Sequence, residues 1–343
     1  MRKKSIKQII LFTIGHIDHA SSRIRGIQYI PYFEQIGYQI NWVPRIAHKP
    51  KSKWQKYFVN PIQKRRNTIL RAWLLLFANP EYFFIQKIFV PQFLLKVAKR
   101  KTTKLIFDFD DAIYLDNSNP LAQKKTQLMI QNADYIIVSN QLLYQYCQSL
   151  NRTAIIITSP IDTDRIFPDK KVQNTIPTIG WIGSNWTTKY LKIVKEPLQQ
   201  LAKQTNFRLL LVGANKQFTI ENVQVDHLDW SFDKENEHLN QMDIGIMPLT
   251  EDEYSTAKGG YKLLMYMSAG LPMVASPVGI NIEIVKQDVN GFLASTSEEW
   301  YNYLKILIDN QALRNGLGQQ ARQEAEQKYS REICFEVMKE IMY

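Results

Sequence analysis

The feature that most narrows the fold is a rhythm. Short, almost wholly apolar runs recur along the chain, each followed by a longer amphipathic stretch. A strand buried on both faces of a sheet reads as a continuous apolar run, whereas a half-buried strand alternates. In the first half such runs are Gln8–Ile14, Gln39–Pro44, Tyr82–Phe89, Lys104–Phe109, Asp134–Ser139 and Ala154–Thr158. Helical patterns lie between them, for example over Arg23–Gln35 and Leu121–Gln131. This alternation predicts an α/β protein with a doubly wound parallel sheet.

The rhythm then starts again. Ser159–Pro177 is rich in proline and charge and reads as a linker. After it come strands Thr178–Ile182, Phe207–Val212, Val223–His227, Asp243–Pro248 and Pro272–Ala275, with helices Lys189–Gln204, Lys234–Gln241 and Gly260–Ala269. Beyond Phe292 the pattern is helical. The expected division is an N-terminal domain over 1–160, a linker over 161–177 and a C-terminal domain over 178–325. A last helix over 326–343 is expected to pack back on the first domain. A chain of 343 residues has room for two such domains.

Arg2, Lys3 and Lys4 before Ile9–Phe12 imitate a signal peptide. The apolar run is short, meets Gly15 and lacks a small-residue cleavage site, so it reads as the first strand. No run of 18 apolar residues predicts a membrane-spanning helix. Cys147 and Cys334 have no metal-ligand spacing and fit reduced thiols in a cytoplasmic protein.

The net charge of +11 is unevenly spread: residues 1–160 carry +16 and residues 161–343 carry −5. That asymmetry predicts an anionic partner for the first half. Residues 45–71 hold nine Lys and Arg and no acid, interleaved with Trp54, Tyr57 and Phe58. This composition suits an anionic membrane surface. Nucleic acid would use the same composition, and a basic lid is the bland alternative. Membrane docking is the reading preferred, with no nucleic-acid partner expected.

Ligands of an open parallel sheet bind beyond the carboxyl ends of its strands. Thr178–Ile182 is followed by Gly183 and Ser184, with a helix expected from Lys189. Asp243–Pro248 leads to Lys258-Gly259-Gly260-Tyr261-Lys262 at a loop-to-helix junction. Two cations, two glycines and a helix N-terminus make a plausible diphosphate cradle; a solvated helix start is the alternative. Gly279 ends a further strand-end loop. In the first half, Gly15, His16, Arg23 and Arg25 follow the first strand as an acceptor- or phosphate-side loop. Asp108, Asp110 and Asp111 crowd the end of Lys104–Phe109. Catalysis by Asp110 or Asp108, helix capping, or pairing with Arg23 or Arg25 are the readings open there. The same letters mimic an Asp-x-Asp metal motif, but the twin-sheet layout argues against the fold that uses it, and no metal is expected.

The string from Gly260 to Ser276, with Asn290-Gly291-Phe292-Leu293, resembles the donor-site signature of glycosyltransferase family 4, the group 1 glycosyltransferases. Ile161–Pro168, Gly183 with Lys189, and Met242–Pro248 resemble further family segments in the right order. The resemblance covers about 130–330 and implies the GT-B architecture, two facing Rossmann-like domains with C-terminal helices. It implies retaining transfer from a nucleotide-diphospho-sugar, as co-substrate rather than cofactor, to a glycan or lipid-linked acceptor in envelope polysaccharide or glycoconjugate synthesis. It also implies that Asp110 or Asp108 stands where the family often has a histidine touching the transferred sugar. One departure is plain: two glutamates of the family, which touch sugar and ribose, fall at Ala257 and Met265. A catalytically degenerate binding subunit is therefore the rival reading. A dinucleotide oxidoreductase is disfavoured because neither half has a Gly-x-Gly-x-x-Gly turn.

Overall fold

The structure is a computed structural model that describes residues 7–46, 54, 57, 59–99, 103–116, 118–169 and 174–342. The chain forms two compact units. Unit 1 is Met1–Pro160 with Cys334–Tyr343, and unit 2 is Ile161–Ile333.

Unit 1 runs β1 (Lys7–Thr13), α1 (Ala20–Arg25), α2 (Ile30–Gln35), β2 (Tyr38–Pro44), α3 (Asn60–Phe77), β3 (Tyr82–Gln86), α4 (Gln92–Lys99), β4 (Lys104–Phe109), α5 (Ala122–Asn132), β5 (Tyr135–Val138), α6 (Gln141–Ser149) and β6 (Ile155–Ile156). Its six-stranded sheet has the order β2-β1-β3-β4-β5-β6, with every pairing parallel. Strands β1, β3, β4 and β5 are buried almost end to end, as their apolar runs require.

Unit 2 runs β7 (Thr178–Ile182), α7 (Lys195–Ala202), β8 (Arg208–Val212), β9 (Gln224–Leu228), α8 (Glu235–Leu239), β10 (Ile244–Met247), α9 (Glu253–Thr256), α10 (Tyr261–Ser268), β11 (Met273–Ala275), α11 (Asn281–Ile284), β12 (Gly291–Leu293), α12 (Ser297–Asp309) and α13 (Gln311–Glu324). Its sheet is β12-β11-β10-β7-β8-β9, again parallel throughout. Neighbouring residues of β7 feed opposite cores: Trp181 packs with Leu198 and Trp300, Ile182 with Tyr266 and Met247. The last helix, α14 (Arg331–Glu340), adds Cys334, Phe335 and Met338 to the unit 1 core. The Phe335 ring lies 5.2 Å from those of Tyr32 and Phe33.

Four expectations are corrected. Arg23–Gln35 is not one helix: Gly26 closes α1 and Pro31, which lacks an N–H, opens α2. Lys189–Gln204 is a 3-10 helix over Asn185–Val194 followed by α7, where Pro197 interrupts continuous α-helical bonding. Strand β12 (Gly291–Leu293) was assigned no element, because three residues show no period, and its last residue, Leu293, lies in the stretch expected to be helical. Residues 60–71, read only for charge, lie in the 18-residue α3. Lys49, Lys51, Lys53, Lys56 and Phe58 of the basic stretch lie outside the described residues.

Candidate active site

In a parallel sheet all carboxyl ends share one edge. In unit 2 that edge gathers three lysines. Lys262 sits in the first turn of α10, with its Nζ 4.3 Å from the Trp181 ring centroid. It makes no ion pair among the described residues. Desolvation, with the charge of Lys258 added, pulls its pKa down to about 7. Lys258 Nζ lies 4.3 Å from the Tyr254 centroid and 5.3 Å from that of Tyr190. Lys189 Nζ approaches the same Tyr190 ring to 5.1 Å and Trp186 to 5.2 Å.

The backbone here is shaped by glycine. A Cβ on Gly183 would fall 2.4 Å from the Trp181 ring and 2.9 Å from Lys262 Nζ, so this strand end stays bare. Gly260 caps α10 at φ +65°, and Gly279 turns at φ +56° where a Cβ would fall 2.2 Å from the Thr256 carbonyl oxygen. Both conformations are costly for other residues. Asp252 caps α9: Ser255 donates to it through N–H (2.8 Å) and Oγ (2.9 Å). Ser255 Oγ also lies 3.0 Å from Tyr190 Oη, tying the loop to the lysine cluster. Desolvation opposes ionisation of Asp252, but those bonds, one from Thr250, and Lys189 hold its carboxyl below the usual range.

Of the predicted residues, Gly183, Lys189, Lys258 and Lys262 are linked through Trp181 and Tyr190. Ser184 caps the 3-10 helix, its N–H bonded to Thr187 Oγ1 at 3.1 Å. Gly259 precedes the cap, and Tyr261 packs partly buried on the α10 side of the core. Ala257 and Met265, at the places of the family glutamates, are buried and contribute apolar surface. Sequence reasoning placed the site around the segment Tyr254–Gly279 but did not single out the aromatic rings Trp181, Trp186 and Tyr190. It also missed an open groove of about 810 Å³ lined by Asn185, Trp186, Lys189, Lys192, Asn215 and Phe218.

Unit 1 builds a second polar cluster, at the carboxyl ends of β1, β3 and β4. Arg25 and Asp108 are a buried ion pair, with side chains 1% and 0% exposed. Arg25 Nε donates to both carboxylate oxygens at 3.2 Å and Nη2 to one at 2.5 Å, while Nη1 bonds the Ile157 carbonyl. Burial raises Asp108 to about 6, with Arg25 opposing, so the carboxylate stays ionised at neutral pH. Arg23 is also buried and donates to the Ile17 carbonyl at 2.9 Å. Gly15 donates to Ser22 Oγ at 2.9 Å, and the His16 ring lies 4.6 Å from that of Trp42.

Asp110 faces a different set. It receives Ser21 Oγ–H at 2.8 Å and Lys87 Nζ at 2.7 Å; Lys87 also contacts Asp111. Cationic side chains therefore engage all three carboxylates. Lys87 was missed because the apolar residues around it prolong the predicted strand to Phe89.

Residues 176–310 match the family model of glycosyl transferases group 1. No curated protein matches the chain. Among solved structures, a glycosyltransferase from Rickettsia africae superposes with TM-score 0.74 at 16% identity, covering 98% of both chains. Sucrose-phosphate synthase from Thermosynechococcus elongatus gives 0.71 at 12%, again over 98% of both. HepE of Anabaena, solved in complex with UDP, gives 0.68 at 15% over 98% of both.

Proposed function

We propose that this chain, with a group 1 glycosyltransferase domain over residues 176–310 and a GT-B fold, is a retaining, metal-independent glycosyltransferase that moves a sugar from a nucleotide-diphospho-sugar to a glycan or lipid-linked acceptor. The observation that carries the reading is the lysine cluster. Lys189, Lys258 and Lys262 surround Tyr190 and the bare strand end at Gly183. Departure of a nucleoside diphosphate develops negative charge, and preorganised cations in a desolvated site stabilise it. The backbone N–H groups of α10 add the positive end of a helix dipole.

Asp110 is the candidate contact to a hydroxyl of sugar or acceptor. Lys87, Arg25 and Ser21 outweigh its desolvation and hold its carboxyl below the usual range. A carboxylate so stabilised is a weak base and a good hydrogen-bond acceptor, so it orients a hydroxyl rather than removing its proton. Asp108 is fully buried in its ion pair with Arg25. Since HepE was solved with UDP-glucose, UDP sugars are the first donors to test. Calorimetry with UDP and turnover of a nucleotide-sugar panel decide the matter. Binding without turnover favours the degenerate subunit, a reading to which the buried Ala257 and Met265 lend weight; no binding refutes donor recognition.

A second observation bears on the acceptor side. Helix α3 buries Asn67, Arg71, Leu74 and Leu75 and exposes Ile62, Ile69, Leu70, Trp73 and Phe77 on its opposite face. At 100° per residue the exposed five span an arc of roughly 100°, with Arg66 within it and Arg65 beside it. Trp73 and Phe77 are 54% and 66% exposed, and Phe93 of α4 is exposed as well. An exposed apolar stripe that carries Arg66 and borders Arg65 suits the interface of an anionic membrane. Peripheral docking through α3 is the reading we adopt. Among the described residues no helix is long and apolar enough to cross a membrane.

A further inference from the structure

Lys87 directly follows β3 with φ +53°, a left-handed conformation. That region is strained for an L side chain and easy for glycine. Lysine occupies it nonetheless, with its side chain 6% exposed. Its backbone N–H donates to the Asp108 carbonyl at 2.9 Å, which fixes the turn against β4. From this turn its ammonium reaches two consecutive carboxylates, Asp110 at 2.7 Å and Asp111. Glycine would relieve the backbone and lose both contacts.

The rest of the cluster points the same way. Gln86 Nε2 donates to Ser21 Oγ at 2.8 Å, and Ser21 Oγ–H donates to Asp110 Oδ1 at 2.8 Å. Ser139 Oγ–H bonds the Asp110 carbonyl at 3.0 Å. Asp110 is thus gripped from β3, from α1 and from the turn after β5. The charged groups around it are Lys87, Arg25, Asp108 and Asp111. Without Lys87, two neighbouring carboxylates would raise each other's proton affinity, and Arg25 is already engaged by Asp108.

We propose that Lys87 is a positioning residue, a strained clamp that keeps Asp110 ionised and aimed as the acceptor of a sugar-hydroxyl hydrogen bond. The inference rests on the role given to Asp110 above. Lys87 touches no reacting atom. It acts through the carboxylate.

The test has a readout that does not depend on the donor. Aspartate carboxyls of the full chain are titrated by ¹³C NMR, with Asp110 assigned from Asp110→Asn. In the wild type Asp110 keeps its charge below the usual carboxylate range; in Lys87→Met its midpoint rises by about one unit or more, and Lys87→Arg restores it. An unmoved midpoint in Lys87→Met overturns the clamp. Turnover is then measured with whichever nucleotide sugar of a UDP, GDP, ADP and dTDP panel the wild type uses fastest. Lys87→Met is expected to lose kcat about a hundredfold with donor KM little changed, and to gain an acid limb in its pH profile. Lys87→Gly separates strain from function: it melts above Lys87→Met yet is equally inactive. Recovery of turnover in Lys87→Gly makes the residue merely structural and overturns the proposal. Full turnover in Asp110→Asn, or no turnover of any sugar by the wild type, instead sinks the reading of Asp110 or of the function; the titration still decides the clamp.

Discussion

Lys262 holds its ammonium 4.3 Å from the ring of Trp181, beside Gly183, with its pKa drawn to about 7. A lysine so lowered is protonated below pH 7 and loses its charge as the pH rises through it. A bound diphosphate favours the charged form, so binding takes up a proton near neutrality. UDP affinity is expected to fall as pH rises from 6 to 8.5. Calorimetry at pH 7 in two buffers of different ionisation enthalpy should show proton uptake. Lys262→Arg should flatten the dependence. A pH-independent affinity in the wild type counts against Lys262 as a diphosphate ligand.

Lys258 and Lys189 both approach the Tyr190 ring. If these charges stabilise the leaving group, Lys258→Ala and Lys262→Ala each lower kcat/KM by about 10²–10³ without unfolding the chain. Steady-state kinetics alongside thermal melting check this; full activity in either variant removes that residue from the site.

The Arg25–Asp108 pair makes a prediction about stability instead. Removing one partner leaves a buried charge alone, at a cost of about 3–5 kcal/mol. Arg25→Met and Asp108→Leu should each melt much lower than the wild type. The double variant should recover part of the loss, since two apolar side chains of similar bulk leave no charge behind. Urea denaturation of the three variants measures the coupling.

The exposed stripe on α3 predicts the reverse pattern. Trp73→Ser with Phe77→Ser should leave the melting temperature within a degree or two, because neither side chain is in the core. Flotation with anionic vesicles should fall about tenfold or more, and neutral vesicles should bind weakly throughout. Equal flotation of variant and wild type would place membrane affinity elsewhere.

Much of the fold was legible because both sheets are parallel and buried. Lys104–Phe109 and Thr178–Ile182 were read to the residue, since both are buried almost throughout and mostly apolar. Where burial is one-sided the pattern gave less: α3 was read as charge, its apolar stripe being exposed rather than inward. The lysines and glycines of unit 2 were visible as local motifs. Their aromatic partners were not, because Trp181 belongs to a strand and Tyr190 to a 3-10 helix. The pair Arg25–Asp108 joins residues 83 apart in sequence, and only packing brings them together. Lys87 stayed hidden for a backbone reason, since no periodicity announces a left-handed residue at the end of an apolar run.

The return of α14 to unit 1 also sets an order of biosynthesis. Cys334, Phe335, Met338, Ile341 and Met342 complete a core whose earlier buried members end at Ile157, yet all of Ile161–Ile333 is made in between. At 5–20 residues per second, the ribosome needs roughly 10–35 s for that interval. During it Tyr29, Tyr32 and Phe33 lack the Phe335 ring that packs against them in the folded unit. Until the residues after Ile333 are made, the core of unit 1 lacks its last helix.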